Sequence, residues 1–222
     1  MKLILNSFFL LIFFTCSSAF ADIFSKKYII YTSGIKIGNL SWVVKINNNN
    51  YSNDIKLESG GLLSTIYVFE GSYTSSGNIN KNILTPNKYS HSWKTSKVNK
   101  TMELVFNNNK LKSLEQNPIE KEKLRLNIFT INQTKDPLSS FLQIIFGEDT
   151  SLVVDGRRIY TMNARYNKNI EQTIIELNNY SNLWADHKRS DFEKITYKID
   201  DDFLPSKILI YFDGRVFRLK ES

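Results

Sequence analysis

The chain has 222 residues, with 29 Lys and Arg against 22 Asp and Glu, a formal net charge of +7 and a single cysteine. That length accommodates one domain with a sizeable core. The positive excess is spread as single residues, with no basic run, Arg-Gly repeat or zinc-finger spacing, which argues against a nucleic-acid partner.

The chain begins as a removable export signal. Lys2 supplies the positive charge, residues 3–14 are apolar, and residues 15–21 are polar and small, ending in Ala19-Phe20-Ala21. Signal peptidase cleaves that pattern, here after Ala21, leaving residues 22–222 as a single β-rich domain in the periplasm or secreted. Asn6 and the Ser17-Ser18 pair interrupt the apolar stretch, and a spanning helix needs about 20 apolar residues. The only cysteine, Cys16, leaves with the signal, and Phe13-Phe14-Thr15 before it is a poor lipidation context. The mature domain therefore forms no disulfide, although its compartment permits them.

Strand patterns dominate the mature domain. Residues 28–31 (YIIY) are β-branched and aromatic. Residues 34–46 alternate apolar with polar, which in a strand sets one group on one face. The asparagine run 47–50 turns the chain into a return strand at 51–58, and Gly60-Gly61 marks a bulge or tight bend. Residues 64–73 and 88–97 read as further strands. Residues 101–106 alternate and turn through 107–109 into 110–114. Residues 117–127 are charged and weakly periodic, a loop with a short element in it.

Residues 136–147 (DPLSSFLQIIFG) predict a helix. Asp136 suits the N-cap and Pro137 the first helical position, where its missing N–H has no partner to lose. Leu138, Phe141, Leu142 and Ile145 make one apolar stripe, expected to pack on a sheet as core. Gly147 is a natural stop. Beyond it, Asp155-Gly156 divides two strand patterns within 153–160, a hairpin cue. Residues 169–177 fit strand or helix, and their neighbours favour strand. Residues 192–199 alternate. Residues 208–219 form the strongest hairpin, with Val216 and Arg218 facing opposite to Phe217 and Leu219. The fold class is mainly β: an antiparallel, strongly curved sheet or incomplete β-barrel with one or two short helices.

Recognisable catalytic chemistry is sparse. His91 and His187 have no His or Cys neighbour in sequence, and Asp200-Asp201-Asp202 lacks the spacing of a calcium loop and reads as a solvated turn. No nucleophile elbow, phosphate loop or zinc-protease motif occurs. No cofactor and no metal are expected. Arg157 and Arg158 stand out, because an Asp-Gly turn needs no paired arginines. Alternation lets at most one point inward, and a salt bridge to a neighbouring strand is the first expectation.

The segment order resembles an uncharacterised exported bacterial family, the domain of unknown function numbered 3108. The resemblance rests on Tyr31-x-x-Gly34-Ile35-x-Ile37-Gly38, Gly60-Gly61-Leu62-Leu63-Ser64 and Leu84-x-Pro86-x-x-Tyr89. It continues through Asp136-Pro137-Leu138-Ser139-Ser140, Val154-Asp155-Gly156-Arg157-Arg158-x-Tyr160 and Pro205-x-x-Ile208. It implies export and a β-rich body, with no established reaction. Many relatives carry a cysteine pair flanking the Asp-Gly-Arg-Arg hairpin and a later strand. Its absence here removes support for a redox role.

Three functions are compatible with these features. The first is an envelope module that binds or carries a lipid or other apolar ligand in a curved β-sheet cavity, with Arg157, Arg158, Tyr160 and Trp42 as candidate ligand-binding residues. The second is a structural or assembly factor for another envelope protein. The third is a hydrolase built from scattered residues. Peripheral contact with a membrane fits the positive charge.

Overall fold

The computed structural model describes residues 21–61, 64, 68–184 and 192–222. Residues 1–20, which hold Cys16 and all but the last residue of the expected export signal, lie outside them, as do Leu62, Leu63 and His187. The described residues build a 14-stranded sheet, nearly closed into a barrel, around a single α-helix. Seven strands come first: β1 (Asp22–Thr32), β2 (Ile35–Asn47), β3 (Asn50–Ser59), β4 (Phe69–Asn80), β5 (Ile83–Thr95), β6 (Asn99–Asn107) and β7 (Lys110–Asn117). A short strand β8 (Thr134–Lys135) leads into helix α1 (Pro137–Ile145). Then come β9 (Thr150–Val154), β10 (Arg158–Asn167), β11 (Gln172–Asn182), β12 (Phe192–Lys198), β13 (Lys207–Phe212) and β14 (Arg215–Glu221).

Strands β1 to β7 form one meander and β9 to β14 another, with β8 added beyond β9, and β1 pairs with β14 to join them. Turn chemistry explains the meander. Asn48, Lys81, Asn82, Asn108, Asn109, Asp213 and Gly214 all take positive φ, the left-handed geometry that tight hairpins require. The asparagine-rich stretches thus fall where the chain reverses. The sheet is antiparallel except at one place: β8 runs parallel to β9, pairing Thr134 with Leu152 and Lys135 with Val153.

Several boundaries differ from the sequence expectation. The strand expected from residue 64 begins at Phe69, after a connection in which residues 65–67 lie outside the described residues. Strands β4 and β5 meet at Asn80 and Ile83, in a stretch too polar to show alternation. Residues 169–171 are turn, and the strand starts at Gln172.

The sheet does not close edge to edge; it overlaps. Val153 and Tyr160, paired across β9 and β10, belong to the main core with Tyr28, Trp42 and Leu142. Their chain neighbours Val154 and Ile159, also paired, point the other way. They join a second core with Tyr89, Met102, Leu104, Leu111 and Ile128. Period two makes these opposite faces of one ribbon. The inner face of β5–β7 therefore lies over the outer face of β9–β10. One backbone bond ties the layers near their ends: the Thr134 N–H of β8 donates to the Asn109 carbonyl in the β6–β7 turn at 2.9 Å.

Helix α1 lies inside this roll. Its apolar stripe packs on the sheet as core, as its spacing predicts, and because the sheet curves round it the helix meets strands from both sides of the enclosure. Phe141 contacts Trp42 of β2 at 5.5 Å between ring centroids and Tyr197 of β12 at 5.4 Å. A polar network fixes it. Asp136 caps the helix, accepting from the Leu138 and Ser139 N–H groups at 2.9 Å each. The hydroxyls of Ser75 and Ser139 donate to its other oxygen. Burial pushes the Asp136 carboxyl above its usual value, against the pull of these hydrogen bonds. At the far end, Gln143 accepts from the Leu84 N–H at 2.7 Å and donates to the Asn82 carbonyl at 2.8 Å. Both contacts fall at the β4–β5 turn, so α1 fills that end of the roll. Among the described residues, no helix is long and apolar enough to cross a membrane.

Candidate functional site

Above the helix the roll is hollow. A cavity of about 670 Å³ opens at the end opposite α1, bounded by inward residues of the sheet and by Leu138 and Phe141 of the helix. The strand register places the mouth. Ile37 stands near the start of β2, Phe69 at the start of β4, Trp93 near the end of β5, and Phe212 and Phe217 flank the β13–β14 turn. In an antiparallel meander these positions share one end of the sheet. Aromatic pairs line that end: Phe69 stacks on Trp93 at 5.2 Å, and Phe192 meets Phe212 edge-on at 4.8 Å.

The walls are almost wholly apolar because alternation sends one face of each strand inward. Tyr89-x-His91-x-Trp93 is the clearest case: three rings on one strand face, all lining the cavity. Leu57, Leu177, Ile195 and Ile210 line it from four other strands. A volume of this size falls within the range of about 300–1,000 Å³ typical of small-molecule sites.

Polar groups converge at one place, the β9–β10 turn. Asp155 Oδ1 accepts from the Arg157 N–H at 2.8 Å and the Arg158 N–H at 2.7 Å. Trp184 Nε1 donates to the Gly156 carbonyl at 3.1 Å, and the Leu183 N–H to the Arg157 carbonyl at 2.8 Å. Gly156 has φ +85°, and a Cβ there would overlap the Met102 sulfur of the overlying strand β6. Burial pushes the Asp155 carboxyl up, while the two turn N–H groups and the two guanidiniums pull it down.

His91 lies in the same cavity, half-buried, 5.5 Å from the Tyr73 ring, and its Nδ1 is 3.4 Å from the Tyr89 hydroxyl. Burial, and then the positive charge of Arg157, hold its imidazole below the ordinary histidine value. Among the described residues, no group of three or more His, Cys, Asp and Glu is placed to hold a metal ion.

Trp42, Arg157, Arg158 and Tyr160 all border the cavity. Trp42 is 2% exposed, with its Nε1 donating to Asn53 Oδ1 at 2.7 Å. Tyr160 packs on Tyr180 at 5.1 Å, and the Arg158 guanidinium stands 6.0 Å over the same Tyr180 ring. Of the two arginines, Arg157 is exposed in the turn, while Arg158, the first residue of β10, is half-buried. Asp200, Asp201 and Asp202 are exposed, as a solvated turn requires, and Asp200 and Asp202 pair there with Lys198 at 3.6 Å and Lys26 at 3.1 Å. Tyr73, Tyr89 and the rim aromatics escaped the sequence reading. The signal that could have found them is the every-second-residue ring spacing of Tyr89, His91 and Trp93 in β5, with Phe69 and Tyr73 on one face of β4.

A model of the family described as protein of unknown function (DUF3108) matches residues 27–175. The crystal structure of a β-barrel-like protein of domain of unknown function DUF1849 from Brucella abortus is similar in fold, with a TM-score of 0.51 at 10% identity. That similarity covers 89% of this chain and 94% of the other. No curated protein matches the sequence. At such low identity the structural likeness carries the fold alone.

Proposed function

The chain belongs to the DUF3108 family of proteins of unknown function, and on that footing we propose that it is an exported envelope protein that binds or carries an apolar or amphipathic chain, such as a lipid acyl group, inside the roll. The observation that carries this reading is the cavity: about 670 Å³, aromatic and aliphatic on nearly all sides, and open at one end. A filled interior would have supported an assembly role more strongly, since a partner would then meet only outer faces and edges. Trp42 and Tyr160 act as wall contacts for the chain, and Arg157 and Arg158 border it. The export signal supports a periplasmic or secreted location.

The test combines native mass spectrometry of the purified domain with displacement of the fluorescent probe 1-N-phenylnaphthylamine. The expected result is co-purifying lipid and saturable probe binding that lipid competes away. Leu57→Trp, which places a large ring into the cavity, should abolish binding while leaving the thermal melt cooperative. Absence of both lipid and saturable probe binding would overturn the reading. Recovery of one specific protein by crosslinking in that case would favour the assembly role.

A further inference from the structure

We propose that the cavity is selective for an anionic single-chain amphiphile, with the acyl chain between the sheet faces and a carboxylate or phosphate on the Arg157 and Arg158 guanidiniums. This rests on the proposal that the cavity holds an apolar chain.

Three observations on the β9–β10 turn support it. First, among the described residues lining the cavity, Arg157 and Arg158 carry the only fixed positive charges, and Asp155 the only carboxylate. Asp155 has one oxygen committed to the turn, holding the Arg157 and Arg158 N–H groups. Second, the turn is held from outside itself. Trp184 and Leu183 bind its carbonyls, and strand β6 presses Met102 against Gly156. A guanidinium on a fixed turn loses little backbone freedom when it takes up an anion, which is how pre-organised sites gain affinity. Third, the charge stands against apolar walls. A cation beside low-dielectric surface acts further and more strongly than one in open solvent. The Arg157 field reaches inward, because it is one of the two influences that lower the His91 imidazole.

Guanidinium is suited to this task. Its planar fork matches carboxylate and phosphate oxygens, and the anion turns the contact into a charge-assisted hydrogen bond. Arg158, packed on the Tyr180 ring, adds to the positive field, while Arg157, the more exposed of the two, is the first contact for an incoming headgroup.

The experiment measures binding of palmitate, lysophosphatidylglycerol, hexadecanol and hexadecyltrimethylammonium to the mature chain by probe displacement at low and high salt. The expected result is at least about tenfold tighter binding of one or both anions than of hexadecanol, as a charge-assisted contact provides. The cation should bind weakest, and the anion preference should shrink at high salt. Which anion binds tighter identifies the headgroup as carboxylate or phosphate. In Arg157→Gln and Arg158→Gln the anions should fall to within about twofold of hexadecanol, while Arg157→Lys should retain part of the preference. Equal affinity for hexadecanol and the anions in the unaltered protein would overturn the inference and leave the apolar reading standing. So would an anion preference that survives both glutamine variants. Failure of all four probes to bind would overturn both readings.

Discussion

Gly156 occupies a position that two independent constraints reserve for glycine. Its φ of +85° is left-handed, and the space where a Cβ would stand belongs to Met102. Gly156→Ala should therefore combine backbone strain with overpacking, a loss of roughly 2–4 kcal/mol, read as a lower denaturation midpoint in urea with an unchanged slope. His91 is constrained differently. Its imidazole lies among Tyr73, Tyr89 and Arg157, and burial, then Arg157, hold its proton affinity below the ordinary value of about 6.5. As pH falls through that value the unfolded chain takes up the proton before the folded one. Stability is then complete above that value and declines as pH drops toward the folded-state value. His91→Gln should flatten this decline, measured as the difference in urea midpoint between about pH 7 and pH 5. An unchanged slope would mean that His91 is not the group responsible.

At the scale of elements, α1 is the part of the interior that the sequence described best. Asp136 caps it, Pro137 opens it and the chain leaves the helix at Phe146, as the local signals require. Asp136→Ala should remove the cap and leave the buried Ser75 and Ser139 hydroxyls without their acceptor, costing about 2–4 kcal/mol. Asp136→Asn keeps one acceptor oxygen and should cost less, so the two variants rank in thermal melts. Melts of both variants equal to that of the unaltered protein would show that the carboxylate does not anchor the helix. The partners of that helix were not legible. Asn53, Ser75 and Gln143 look like surface residues in a one-dimensional pattern, yet each is buried and bonded to a distant segment. Hairpins were readable because Asp213-Gly214 and the asparagine runs encode left-handed turns locally. The two arginines at the cavity were legible as unusual residues, but not as neighbours, because their arrangement follows from a turn that a third strand holds in place.

At the scale of the molecule, the overlap is the feature no local pattern could announce. Strands β9 and β10 are apolar on both faces, with Val153 and Tyr160 on one and Val154 and Ile159 on the other. A ribbon with two apolar faces needs cover on both, and β5–β7 supplies the second. Leu104, fully buried in that seam, reports on it: Leu104→Ala should cost about 2–5 kcal/mol and raise binding of an apolar dye as the seam loosens. A variant with native stability would show that the seam contributes little. The overlap also changes what kind of container this is. In a closed barrel the girth follows from strand number and shear, which change only in whole steps. A sheet that passes over itself has no such quantisation. Its girth follows instead from where one apolar layer seats on the other, a seat held near the edge by the Asn109–Thr134 backbone bond.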